Sequence, residues 1–105
     1  MRSRRVVYLP EALEHLRAIR RYIAGESGLA VALSFTESIR EFCERLSTFP
    51  QRGTRRDHLR PGLRIIGFQR RVAIAFVVPD EDRVVIVGIL YGGRDLDGAL
   101  RSIPD

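Results

Sequence analysis

Apolar residues in this chain follow two rhythms. One is helical, through residues 10–50, and the other consists of short unbroken runs beyond residue 62. Ahead of both lies Arg4-Arg5-Val6-Val7-Tyr8-Leu9, a β-prone run stopped by Pro10. Proline suits the first turn of a helix, and Glu11 and Glu14 set negative charge near its positive end. Ala12, Leu16, Ile19 and Ile23 then recur at three and four residues, with Leu13 and Tyr22 on the flanks. The spacing predicts an amphipathic helix ending between Gly25 and Gly28.

A second helix is marked by Ala32, Phe35, Ile39, Phe42, Leu46 and Phe49, at alternating steps of three and four, with Pro50 as its stop. The short connection predicts an antiparallel helical hairpin within the chain rather than an oligomeric coiled coil. A polar, basic loop follows, from Gln51 to Pro61. Leu63–Phe68, Val72–Val78 and Arg83–Leu90 then read as strands, rich in Val, Ile and Phe and joined by connections short enough for hairpins. The expected fold is α+β, in the order β-α-α-β-β-β: a helical hairpin packed on an antiparallel sheet, with a short C-terminal helix over 96–102. Val72–Val78 is apolar throughout, as central strands covered on both faces are. One helical hairpin covers one face, so the other is expected to await a partner or to form a small apolar patch.

The length, 105 residues, makes room for one domain, taken as 1–105. With 45% hydrophobic and 30% charged residues, the chain has the composition of a globular protein. Its net charge is +5, and all 18 basic residues are Arg. Codon usage in a GC-rich genome is the ordinary cause of such a bias. The consequence stands either way, because a surface of planar guanidinium forks attracts phosphates and carboxylates. The basic start is followed by too short an apolar stretch for a signal peptide, and no run is long enough to span a membrane. A cytoplasmic location is expected.

Catalytic chemistry is sparsely supplied. Cys43 is the one cysteine and reads as buried helix filler; no internal disulfide or thiolate metal cluster can form. The two histidines, His15 and His58, leave metal chemistry poorly provided, and His15 is expected to face solvent. Gly92-Gly93 lacks the spacing of a phosphate cradle, so neither cofactor nor metal is expected. What remains is a set of arginines around the sheet, Arg60, Arg64, Arg70, Arg71 and Arg94, with Tyr91 beside the last. These are either charges that keep sheet edges from aggregating or a phosphate-binding groove with an aromatic ring.

Four segments in order resemble the RelE/ParE toxin superfamily, and its ParE branch in particular. They are Pro10-Glu11-Ala12, then Arg45-Leu46-Ser47-Thr48-Phe49-Pro50-Gln51-Arg52-Gly53, then Leu59-Arg60-Pro61-Gly62-Leu63-Arg64, and Val87-Gly88-Ile89-Leu90-Tyr91-Gly92-Gly93-Arg94-Asp95-Leu96. The resemblance implies a toxin of a type II toxin–antitoxin system. Its target would be DNA gyrase, and a cognate ParD-like antitoxin with an acidic, disordered C-terminal segment would hold it inactive. In the RelE-like alternative the toxin cuts messenger RNA at the ribosome, and Tyr91, Arg60, Arg64 and Arg94 would then be catalytic. The absence of Lys and the Phe-Pro-x-Arg-Gly segment look more like ParE. Leu13, Arg17, Arg20, Arg21, Arg70 and Arg71 are the expected antitoxin contacts. Arg52, Arg55, Arg56, His58 and Arg60 are the expected target contacts.

Overall fold

The computed structural model describes residues 3–92. Strand β1 (Arg5–Tyr8) leads into helices α1 (Pro10–Ser27) and α2 (Leu29–Arg45), followed by strands β2 (Thr54–Arg55), β3 (Arg64–Phe68), β4 (Val72–Val77) and β5 (Arg83–Tyr91). The α+β class and the helical hairpin stand as expected. The three long C-terminal strands form the expected antiparallel meander. To it the fold adds β1, parallel to β5, and the two-residue β2 on the far edge, giving the order β1-β5-β4-β3-β2. The anticipated C-terminal helix, 96–102, lies outside the described residues.

Pro10 occupies the first turn of α1, where its missing N–H costs no hydrogen bond. One residue, Gly28, joins the helices at φ +96°, a value that side-chain-bearing residues adopt with difficulty. Its N–H donates to Ala24 O (3.0 Å) and its carbonyl accepts from Ala32 N (3.1 Å), so one residue closes α1 and opens α2. The helices run antiparallel. Tyr8, at the entrance to α1, bonds Glu44 near the end of α2, while Tyr22 of α1 and Phe35 of α2 both meet Tyr91.

Ala12, Leu16, Ile19 and Ile23 of α1 are buried together with Ala32, Ile39 and Cys43 of α2 and with Phe68, Val72, Ile74, Phe76, Val84, Ile86 and Ile89 of the sheet. A fully buried Ile39 contributes about 1.5–3 kcal/mol by leaving water. The α2 stripe ends earlier than its period predicts: Arg45 is the last helical residue, Leu46–Thr48 form a turn, and Phe49 is 60% exposed. Pro50 restricts the residue before it to extended backbone, and the chain turns so that Pro50, not Phe49, is buried.

The face of the sheet opposite the helices corrects an expectation. It is not open. Leu63, Ile65, Ala75, Val87 and Leu90 form a second cluster there, none more than 9% exposed, with Leu9, Leu59, Ala73 and Val77 packed against it. Alternation divides the strands between the two clusters, and one bulge adjusts it. Ala75 pairs with Gly88 but Phe76 with Ile86, leaving Val87 as an extra residue on β5. The bulge lets Ile86, Ile89 and Tyr91 share the helical side while Val87 and Leu90 face the other.

Candidate partner-binding surfaces

The loop expected to touch a target is a constructed turn rather than a loose basic strap. Asp57 is its hub. One carboxylate oxygen accepts from Arg55 Nη2 (3.0 Å) and from Gly62 N (2.9 Å), and the other accepts from Arg55 Nε (3.0 Å). The Arg55 guanidinium, followed by the Gly62 N–H, holds the Asp57 carboxyl below its ordinary range. The same bidentate pair raises Arg55. Backbone bonds finish the closure: Arg56 N donates to Leu63 O (2.8 Å), and Leu59 N and Arg60 N both donate to Arg56 O.

Gly53 sets the loop against the sheet. At φ +79° it passes so close to β3 that an added Cβ would lie 2.3 Å from the Ile65 carbonyl oxygen. The Phe-Pro-x-Arg-Gly segment is therefore a structural hinge into β2 as much as a family mark. Among the expected target contacts, Arg55 has its charge matched by Asp57, and Arg52 lies over the Phe42 ring at 5.5 Å. Arg45 approaches the same ring at 5.7 Å. Arg56 keeps a buried Nε that has no hydrogen-bond partner among the described residues. His58 is exposed and Arg60 half-buried on the turn.

Of the residues that the ribonuclease alternative would use, Arg64 and Tyr91 are not brought together. Arg64 pairs in register with Phe76 at one end of the meander and donates to Gln51 Oε1 (2.8 Å), while Tyr91 pairs with Val72 at the other end. Four residues along a strand and two strands across put their Cα atoms about 16 Å apart. Arg60 belongs to the loop entering β3 at its Arg64 end. Arg94 lies outside the described residues. Tyr91 is instead part of an aromatic train under the helices: its ring centroid is 5.7 Å from Tyr22 and 6.1 Å from Phe35. Phe68 continues the train, 6.3 Å from Phe35 and 5.1 Å from Phe42.

The expected antitoxin contacts divide between two places. Leu13, Arg17 and Arg20, at steps of four and three, share one flank of α1. His15 and Tyr22 lie on the flank towards β5, where Arg70 and Arg71 form the β3–β4 turn next to Tyr91. Arg21 is exposed on the crest between them. Leu13 is half-buried against the core, and Arg17 is held by an ion pair with Glu14. Arg20, Arg21, Arg70 and Arg71 have no ion pair or side-chain hydrogen bond among the described residues, so the fold leaves these four cations available.

Three features escaped sequence reasoning. His15 does not face solvent: its Nδ1 accepts from Ile89 N (3.0 Å), on the β5 edge beyond the end of β1. Alternation of helical residues placed it off the core, and only the path of β5 reveals the open donor. Tyr8 donates to Glu44 Oε2 (3.2 Å), with the Arg40 guanidinium 5.2 Å from its ring; burial first, then its neighbours Cys43 and Glu44, hold its phenol above the ordinary range. Burial also pushes the Cys43 thiol up to about 12, which leaves it unreactive at neutral pH. Lastly, Leu29, Val31 and Leu33 at the start of α2 are exposed, as is Tyr22. Among the described residues no group of three or more His, Cys, Asp or Glu could hold a metal ion, and no helix is long and apolar enough to cross a membrane.

Comparison with known proteins agrees with this architecture. A solved structure described as a chromosomal ParDE TA system from P. aeruginosa has a similar fold, with a TM-score of 0.74 at 22% identity, over 86% of this chain and 97% of that one. No curated protein matches the chain in sequence. The family profile described as the ParE toxin of the type II toxin–antitoxin system parDE matches residues 6–96. The match covers most of the chain, from β1 through the end of β5, which places this protein in the ParE toxin family of type II toxin–antitoxin systems.

Proposed function

We propose that this ParE-family toxin acts in the cytoplasm by binding DNA gyrase and stalling replication, and that a cognate ParD-like antitoxin neutralises it. The place of Tyr91 carries the choice of binding over chemistry. A proton-transferring tyrosine needs cationic groups around the reacting phosphate. Here Tyr91 packs against Tyr22 and Phe35 beside the Arg70–Arg71 turn, while Arg60 and Arg64, two of the cations that the ribonuclease alternative assigns to the phosphate, stand at the far end of the sheet. The turn carrying Arg56, His58 and Arg60, with Arg52 stacked beside it, is the surface assigned to the target. An acidic, disordered antitoxin segment suits the cations on and around α1. Folding on that surface, it would pass from the Leu13–Arg17–Arg20 flank over the end of the helix to Arg70 and Arg71.

The test is to induce the chain alone in a bacterium and follow DNA and protein synthesis by pulse labelling. DNA synthesis should stop first, with filamentous cells and a DNA-damage response, and Tyr91→Phe should leave that arrest in place. Earlier loss of protein synthesis, abolished by Tyr91→Phe, would mean the ribonuclease reading instead. Unimpaired growth despite good expression would mark a chain that binds its antitoxin but no longer poisons a target.

A further inference from the structure

We infer that the loop from Arg45 to Arg52 is a contact for single-stranded nucleic acid, in which two guanidinium groups gathered on the Phe42 ring take phosphates and the exposed Phe49 ring takes a base. The inference goes beyond the reading above, because it names what this loop holds, and its test needs neither gyrase nor antitoxin.

The loop is closed and anchored. Arg45 ends α2, and its guanidinium carbon lies 5.7 Å from the centre of the Phe42 ring; that of Arg52 lies 5.5 Å from the same centre. The two side chains therefore meet over one ring, with their guanidinium groups no more than about 11 Å apart. Inside the loop, Leu46 and Pro50 are buried. Ser47 O accepts from Arg4 N (2.9 Å), which ties the loop to the start of β1. At its exit, Gly53 fits beside the Ile65 carbonyl only because it has no Cβ. A ligand meets a surface that is already shaped, which spares much of the ordering cost of binding.

The loop also carries charge that the chain does not neutralise. Neither Arg45 nor Arg52 makes an ion pair or side-chain hydrogen bond among the described residues. The carboxylates nearest to Arg45 along α2 do not answer it. Glu44 accepts from Tyr8, and Glu41, one turn earlier, makes no ion pair among the described residues. One arginine stem is enough to shield a half-buried ring from water. The second sets like charge near like charge, and a bound anion relieves that repulsion.

Phe49 lies within the closed loop, three residues before Arg52, and is 60% exposed while the Pro50 that follows it is buried. A free aromatic face with cations on the same short loop is what an unpaired nucleotide requires: a platform for the base and guanidinium groups for the backbone. A carboxylate fills one guanidinium fork and leaves the second charge and the Phe49 ring unused. A duplex keeps its bases stacked within itself and leaves Phe49 unused as well.

Binding of a labelled oligothymidylate to the full chain, followed by fluorescence anisotropy over a range of salt concentrations, tests the site. Arg45→Gln and Arg52→Gln should each weaken binding and reduce the slope of log affinity against log salt by about 0.7, the value for one phosphate contact on a single strand. Phe49→Ala should lower affinity about fivefold or more and leave that slope unchanged, because stacking releases no counterions. Phe49→Tyr, which keeps an aromatic face, should restore the affinity. Unchanged affinity in Phe49→Ala, or an unchanged slope in both arginine variants, would overturn the inference. In NMR spectra of the unaltered chain, the oligonucleotide should move the Phe42 and Phe49 ring signals and the Nε–H signals of Arg45 and Arg52 the most. Largest movements elsewhere on the chain would overturn it, as would oligoglutamate or a duplex of equal charge binding as tightly as the single strand.

Discussion

Single residues decide how much of the positive charge is free to act. Asp57 consumes Arg55, Glu14 holds Arg17, and Asp80 pairs with Arg83, so a count of arginines overstates the available charge. The Asp57 hub makes a measurable prediction. Its folded carboxyl titrates below its unfolded value, so the support it lends the loop is fully present above about pH 4 and is lost as pH falls through the lowered folded value. In an NMR titration the Gly62 amide, which donates to Asp57, should move with a midpoint below that of a free aspartate. In Arg55→Ala the midpoint should rise, because the guanidinium is the largest cause of the lowering. An unchanged midpoint in that variant would contradict the assignment.

At the scale of elements, what was legible in the sequence is what local pattern controls. The helices, their joint near Gly28 and the three-strand meander follow from hydrophobic spacing, Pro and Gly, and short connections. Pairings between distant segments do not. The parallel match of β1 to β5 joins residues nearly eighty positions apart and has no local signature. The two-residue β2 is too short to show a period. The Val87 bulge is invisible because β5 is apolar on both sides of it, and that is why the company kept by Tyr91 could not be foreseen. The same distance hides His15, which supplies the acceptor that a longer β1 would otherwise have offered Ile89. Its neutral form must carry the proton on Nε2 for Nδ1 to accept. His15→Ala should destabilise the fold by about 1–3 kcal/mol, the cost of stranding a buried donor, read as a lower denaturation midpoint with an unchanged slope. A loss below about 0.5 kcal/mol would show that the edge does not depend on it.

At the scale of the molecule, described cations without an ion pair stand around α1 with the β3–β4 turn (Arg20, Arg21, Arg70, Arg71) and on the loop before β3 (Arg52, Arg56), and Arg64 and Tyr91 lie at opposite ends of the meander. That separation suits the proposed function, in which one region meets the antitoxin and the other the target. It was half legible in advance. The arginines themselves could be named from the chain, but which were already matched, and that Tyr91 stands at the opposite end of the meander from Arg64, depended on the register of the sheet. The most direct test of the central claim uses purified components. The free chain should inhibit supercoiling by DNA gyrase and leave cleaved DNA bound to the enzyme, and the adjacent-gene antitoxin should reverse the effect. Supercoiling that proceeds unchanged with folded chain in excess, while messenger RNA on ribosomes is cut, would contradict it.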